Sequence, residues 1–280
     1  MHVHPISKAA LPGRPFLKWV GGKSRILQQI VPRLPHGRRL IEPFVGGGAV
    51  FLGTGFEEYL LNDSNVHLIE LYRAVSERPI EFMNLASSFF VDDNRSSSRY
   101  IELRTQFNCE PDSLTRAALF LYLNRHGFNG LCRYNKRGKL NVPYGHPVRV
   151  PRFPREGILN FVEKARKATF VNDDFAAVMR RAVLGDVVYC DPPYVDPDGA
   201  RSFTAYGPAG FGMDRQQELA ELARELRGAG VPVVISNHDC SAARELYAGA
   251  KIFTFAARRS ISADGTRRGD AGELLAVFEA

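Results

Sequence analysis

The chain has 280 residues, of which 45% are hydrophobic and 24% charged, with a formal net charge of +7. That balance suits one α/β domain carrying an insertion, excludes a disordered chain, and leans toward a polyanionic partner. Cys109, Cys132, Cys190 and Cys240 form no C-x-x-C pair and no apolar run nears the ~18 residues of a membrane span, so zinc ribbons, disulfide frameworks and membrane proteins are excluded in favour of a soluble protein of the reducing cytoplasm.

In chain order, the N-terminal stretch MHVHPISKAALPGRPF lacks the apolar core of a secretory leader. FLKWVGGK (Phe16–Lys23) then puts the single tryptophan beside Gly21 and Gly22 and between two lysines. Trp19 reads either as a core residue or as the wall of a nucleoside pocket. In the second case Lys23 can pair with a carboxylate such as that of a methionine moiety.

Buried strands are expected at residues 38–42, 58–62, 168–172, 186–190, 231–236, 251–256 and 273–279, from β-branched or apolar runs bounded by turn residues. Helical patterns between many of them predict a mostly parallel, doubly wound sheet. The segment IEPFVGGGAVF (Ile41–Phe51) is a strand end, a glycine loop and a helix start. Without Cβ atoms at Gly46, Gly47 and Gly48, backbone can approach a ligand closely. The pattern is neither G-x-G-x-x-G nor a P-loop, so a phosphate cradle is not indicated.

Asp63 closes the next strand, at about the ~20-residue spacing from which a carboxylate reaches ribose hydroxyls. The competing reading is that Asp63, Ser64 or Asn65 caps a helix over residues 67–75. Together, loop and carboxylate favour a nucleoside cofactor without a pyrophosphate.

The strand–helix alternation breaks between about Leu71 and Arg155, where a helical stretch including Ala117–Leu123 gives way to a Gly- and Asn-rich segment. From Arg125 to Arg155 there are eight basic residues (Arg125, Arg133, Lys136, Arg137, Lys139, Arg149, Arg152 and Arg155) and no Asp or Glu. One-sided charge of this kind is a phosphate footprint or a solvated loop. Phe128, Tyr134 and Tyr144 can stack on bases; Asn129, Asn135 and Asn141 can read base edges; Arg133 has the fork for guanine O6 and N7. The pairs Asn129-Gly130 and Arg137-Gly138 signal turns and a projecting hairpin.

Asp191-Pro192-Pro193-Tyr194 directly follows the strand at 186–190, where open α/β sheets place ligands. Two prolines fix φ and remove two donors, which leaves a rigid cluster of acceptors. Such a cluster suits an exocyclic amine. If Asp191 and the Pro192 carbonyl accept the two N–H bonds of an adenine amino group, its lone pair is localised for attack on a sulfonium methyl. Tyr194 offers a stacking face for an extruded base. The same tetrapeptide can also be a plain turn. No cysteine follows a proline, which argues against a cytosine-C5 mechanism; Cys190 reads as a buried strand thiol. Asp214 is expected to cap a helix, with Gln217 reaching back and Leu219, Leu222 and Leu226 on one face.

The order FLKWVGGK, EPFVGGGAVF, LLNDSN, YLNRHGFNGLCRYNKRGKLNVPYG, VVYCDPPY, ISNHD (Ile235–Asp239) and RRSIS (Arg258–Ser262) resembles the Dam-type (class α) adenine-N6 DNA methyltransferases from about Pro15 to the C-terminus. The resemblance implies the class I methyltransferase fold, a seven-stranded, mostly parallel doubly wound sheet. A helical plus β-hairpin target-recognition domain (residues 71–155) would be inserted into a catalytic domain (residues 1–70 and 156–280). It implies S-adenosylmethionine as donor, S-adenosylhomocysteine as product, no metal, double-stranded DNA as partner, GATC as target, and a cytoplasmic, nucleoid-associated monomer.

Carried over by motif, Asp191, Pro192 and Tyr194 are catalytic. Trp19, Lys23, Phe44, Gly46, Gly48, Asp63 and Asp191 hold the cofactor. Lys18, Phe128, Asn129, Leu131, Arg133, Asn135, Arg137 and Asn141 contact DNA. Two departures stand out: Phe128 replaces the usual Tyr, and His146-Pro147 follows VPYG where a basic residue and an aromatic are expected. Rival readings are an amino-methyltransferase for cytosine N4 or RNA adenine, and a non-catalytic DNA-binding relative.

Overall fold

The computed structural model describes residues 14–195, 211–258 and 270–280. The strands are β1 (Arg39–Glu42), β2 (Glu58–Asn62), β3 (Ala168–Val171), β4 (Asp186–Cys190), β5 (Val233–His238), β6 (Lys251–Arg258) and β7 (Asp270–Phe278). Each falls on a segment expected from sequence, within a few residues at either end. They form one sheet in the order β3-β2-β1-β4-β5-β7-β6. β3, β2, β1, β4 and β5 run parallel, and β7 is antiparallel to both β5 and β6.

Helices cover both faces, so neighbouring residues of one strand are buried in opposite directions. Leu40, Leu61, Val187 and Tyr189 join one apolar cluster, and Ile41, Leu60, Val188 and Cys190 join the other. All five residues of β4 are buried, which is why its sequence, DVVYC, shows no polar alternation. The second cluster is closed by α8 (Phe175–Met179), α9 (Met213–Gly228) and α10 (Ser241–Leu246); Leu219, Leu222 and Leu226 of α9 point into it as expected.

The helices α1 (Leu27–Ile30) and α2 (Ala49–Gly53) flank the first strands, and α3 (Val66–Glu77) follows β2. Four further helices, α4 (Pro79–Ser88), α5 (Ser97–Phe107), α6 (Ser113–His126) and α7 (Arg155–Ala165), occupy the interval between β2 and β3. Ala117 through Asn124 are all buried, so α6 is a central helix without an amphipathic stripe. Phe82, Tyr100 and Phe120 from these helices share a cluster with Leu40, Tyr72 and Phe161. The interrupting segment therefore packs continuously onto the sheet.

Between α6 and α7 the chain forms an arm with the course of a hairpin, paired at the bridges Gly127↔Tyr144 and Tyr134↔Leu140. Its tip is the turn at Arg137-Gly138, where the Gly138 N–H donates to the Asn135 carbonyl. Asn129-Gly130 plays another part: both residues have positive φ (52° and 68°) and kink a 3-10 turn at the arm's base.

One capping expectation fails. α9 begins at Met213 behind Gly212, with no side-chain cap, and Asp214 lies inside the first turn. There a carboxylate still opposes the positive helix end. The glutamine that matters is Gln216, which turns inward, rather than Gln217.

Candidate active site

In a doubly wound sheet the functional crevice lies outside the carboxyl ends of the strands, where the strand order reverses. Here β1 pairs with both β2 and β4, and the loops leaving these three strands carry the glycine run, Asp63 and Asp191.

The loop after β1 is shaped by what cannot fit. Gly46 and Gly48 have φ of 47° and 73°, and Gly48 stands at the start of α2. A Cβ on Gly46 would lie 2.7 Å from Trp19 Nε1, and one on Gly47 would lie 2.8 Å from Trp19 Cβ. The indole is therefore laid against bare backbone while staying partly exposed. Phe44 is half-buried, its ring 5.2 Å from Phe175 and 5.6 Å from Phe211. Buried Tyr72 holds the loop from behind, donating to the Gly46 carbonyl at 2.6 Å.

Asp63 turns its carboxylate toward the same loop, accepting from Gly46 N–H at 3.0 Å and Asn65 N–H at 2.9 Å. Burial outweighs these two bonds and pushes its pKa up to about 6. The helix cap is Asn65, whose side chain accepts from His67 and Leu68 N–H. Asp63 is thus left at the loop rather than spent on α3.

Asp191 leaves β4 beside Lys23, at 2.7 Å between Nζ and Oδ1. Lys23 is almost wholly buried, donates also to the Gly21 carbonyl, and lies 4.8 Å from the centre of the Tyr194 ring. Burial raises the Asp191 pKa, opposed by the charge and the hydrogen bond of Lys23. Lys23, expected to face a ligand carboxylate, is paired with Asp191.

The tetrapeptide is braced from outside. Gln216 donates to the Pro193 carbonyl at 2.6 Å, while no donor among the described residues takes the Pro192 carbonyl. Tyr194 donates to Glu273 at 2.7 Å and meets the edge of His238. Asn237, fully buried, accepts from Val195 N–H at 2.9 Å and donates to Tyr247. These braces come from α9, β5 and β7, far away in sequence. Only ISNHD hinted at them.

Glu42, at the end of β1, escaped the sequence reading. It is fully buried, and its Oε1 has no hydrogen-bond partner. Burial, with the nearby Asp191 charge, drives its pKa well up, against an opposing pull from Lys164. An acidic residue closing the apolar run RLIE was the available signal. Among the described residues no group of His, Cys, Asp or Glu is arranged to hold a metal ion.

The basic arm rises beside this cleft. Phe128 and Asn129 are exposed, Leu131 is half-buried, and exposed Lys18 donates to the Arg125 carbonyl at 3.0 Å. A Cβ on Gly130 would meet Lys18 Cβ at 2.4 Å, so the kink at Asn129-Gly130 seats the arm directly on the Lys18–Trp19 segment. Arg133 donates through Nε and Nη2 to Asn141, at 2.9 and 3.0 Å. Asn141 therefore steadies Arg133, whose Nη1 makes no hydrogen bond among the described residues. Asn135 Oδ1 accepts from Arg137 and Lys139 N–H and closes the tip. Tyr144 donates to the Arg95 carbonyl and Tyr134 stacks on His67, whereas the Phe128 ring is exposed.

A cleft of about 670 Å³ beside the arm is lined by Arg95, Arg149, Val150 and Arg152. A smaller cavity, lined by Pro35, His36, Gly185 and Gly230 among others, sits at the amino ends of the strands, away from the chemistry. Among the described residues no helix is long and apolar enough to cross a membrane. Residues 259–262 of RRSIS lie outside the described residues.

The model of the family described as D12 class N6 adenine-specific DNA methyltransferase matches residues 19–261. The DNA adenine methylase of Escherichia coli (strain K12) is 46% identical over 266 residues, covering 95% of each chain. Those of Serratia marcescens and Vibrio cholerae serotype O1 are 46% and 44% identical over the same length, covering 95% of this chain and 98% and 96% of theirs.

The glycine–indole contact makes a prediction. Gly47→Ala, at a position of ordinary backbone φ, is expected to displace Trp19 while leaving the melting temperature within a few degrees. Because Trp19 is the only tryptophan, its emission reports the shift directly. An unchanged spectrum would show that the indole does not rest on the loop.

Proposed function

The chain belongs to the D12 class of N6 adenine-specific DNA methyltransferases, and we propose that its donor is S-adenosylmethionine, its target adenine lies in 5′-GATC-3′ of double-stranded DNA, and Asp191, Pro192 and Tyr194 carry the reaction. Family membership removes the cytosine-N4, RNA and non-catalytic alternatives. The observation that carries the mechanism is the position of Asp191: at the end of β4, partly exposed, and ion-paired with a lysine from the segment that bears Trp19.

The cleft suits the cofactor on two counts. The bare backbone of Gly46 and Gly47 against Trp19 leaves a flat apolar wall for a purine, and the Asp63 carboxylate keeps lone pairs for ribose hydroxyls. Phe44 and Gly48 complete that half. The methionine carboxylate would compete for Lys23, and Asp191, relieved of part of its ion pair, becomes a stronger acceptor. When bound, the cofactor supplies a methyl group on positively charged sulfur, open to attack by a nitrogen lone pair.

The protein's task is then orientation. Asp191 Oδ and the Pro192 carbonyl accept the two N–H bonds of the extruded adenine. The N6 lone pair is turned out of conjugation with the ring. Gln216, Asn237 and Glu273 hold these acceptors in place before the base arrives. Asp191, whose pKa burial has raised, is suited to hold the proton that N6 sheds. Tyr194 lines the base pocket. Outside it, Lys18, Phe128, Asn129, Leu131 and Arg133 contact the bases, and Asn135, Arg137 and Asn141 shape or extend the arm along the backbone. Residues 71–155 act as the target-recognition insert of a catalytic domain formed by the rest, working as a monomer in the cytoplasm.

Asp191→Ala is expected to abolish methyl transfer to a GATC duplex while leaving duplex affinity within about threefold; retained turnover would mean the acceptor is misassigned. Arg133→Ala should cost about 1–3 kcal/mol of discrimination at one base pair, read by competition among single-substituted duplexes. Equal weakening for all sequences would reduce Arg133 to a phosphate contact. Since ribose hydroxyls donate to the ionised carboxylate, cofactor affinity should fall as pH drops through about 6, where Asp63 takes up a proton. Calorimetry with S-adenosylhomocysteine between pH 5 and pH 8, in which ~1 unit either side spans the titration, checks this; a flat profile would remove Asp63 from the ribose.

A further inference from the structure

The arm that reads DNA is tied to both walls of the cofactor cleft. On one side Asn124, buried near the end of α6, grips the main chain of Lys18: it accepts from the Lys18 N–H at 2.9 Å and donates to the Lys18 carbonyl at 2.7 Å. The next residue is Trp19.

On the other side the tie is Tyr134. It stands between Arg133 and Asn135 in the arm, yet its side chain leaves the arm for the loop after β2. Its hydroxyl donates to Asn65 Oδ1 at 3.1 Å, and its ring stacks on His67, with centres 5.5 Å apart and planes 19° from parallel. Asn65 in turn donates its backbone N–H to the Asp63 carboxylate, whose second oxygen holds Gly46. A continuous chain of hydrogen bonds therefore runs from the arm, through Tyr134 and Asn65, to Asp63 and the glycine loop.

The direction of this chain follows from proton counting. Asn65 Oδ1 only accepts, and the Tyr134 hydroxyl has one proton to give it. The 3.0 Å contact between His67 Nδ1 and the Tyr134 oxygen is then satisfied only if His67 carries its proton on Nδ1. Burial, the main influence on His67, lowers its pKa and keeps the ring neutral. One arrangement of protons satisfies every member, which makes the connection rigid.

We propose that Tyr134 is a positioning residue that couples occupancy of the cofactor cleft to DNA recognition. A ligand drawn to Asp63 fixes the 63–65 loop, and through Tyr134 that loop fixes the register of the arm bearing Arg133. The proposal rests on the assignment of Asp63 to the cofactor's ribose. By linkage the effect is reciprocal: DNA seated on the arm must tighten cofactor binding by the same factor.

The test is calorimetric titration of S-adenosylhomocysteine into the full chain, with and without a saturating GATC duplex. Tyr134→Phe keeps the ring on His67 and removes only the hydroxyl. The wild type is expected to bind more tightly with DNA present. In Tyr134→Phe that enhancement should fall about fivefold, the worth of one neutral hydrogen bond, while affinity without DNA stays within about twofold. A general loss of packing would weaken both arms of the titration equally and leave the enhancement intact; that result, or a wild type with no enhancement, overturns the proposal. A wild type that gives no binding heat at all overturns the cofactor assignment beneath it, so the two failures are distinguishable.

Discussion

A carboxylate beside a closed sheet end is costly to keep charged unless a cation stands next to it. The Lys23–Asp191 pair meets that need, and most of the site follows from it. Lys23 comes from a segment near the N-terminus and Asp191 from β4, so their contact joins the strand that bears the acceptor to the segment that bears Trp19. Because Lys23 is itself almost wholly buried, neither partner can leave without a replacement charge.

Around this pair the protein uses hydrogen bonds from distant residues to hold geometry. Gln216, Asn237 and Glu273 take the donors and acceptors of residues 193–195. The Asp191 carboxylate stays paired with Lys23, and among the described residues no donor takes the Pro192 carbonyl. Such preorganisation matters for a weakly nucleophilic amine, since acceptors that had to be reoriented at the moment of reaction would return little of their energy to the transition state. Glu42, buried and with its pKa driven well up, fits the same logic: with Asp191 beside it, a second negative charge there is disfavoured.

The segment between β2 and β3 is joined to the sheet by one apolar cluster, by Asn124 on Lys18 and by Tyr134 on Asn65. Several arm residues that looked like free readers are engaged in keeping the arm's shape, among them Asn135 and Asn141. An arm with few paired strand residues needs such internal bonds, because its bridges alone cannot define a register. Phe128, Asn129 and the free side of Arg133 remain open to a partner.

Strand positions, the parallel sheet and the tetrapeptide at the end of β4 were legible because each depends on local pattern: apolar runs, turn residues and two consecutive prolines. The order of motifs along the chain was enough to indicate the reaction class, since that order needs no coordinates. The braces were not legible. Asn237, Gln216, Glu273, Asn124 and Tyr134 are ordinary polar residues that brace segments 23 to 106 positions away, and no spacing rule connects them. The choice between Asp63 and Asn65 as helix cap, and the pairing of Lys23 with Asp191, likewise depended on which group the closed fold left nearest. Local patterning thus determined the elements and the chemistry on offer. Only the packed tertiary structure, where burial makes every unmatched polar group costly, decided which side chains act and which hold them still.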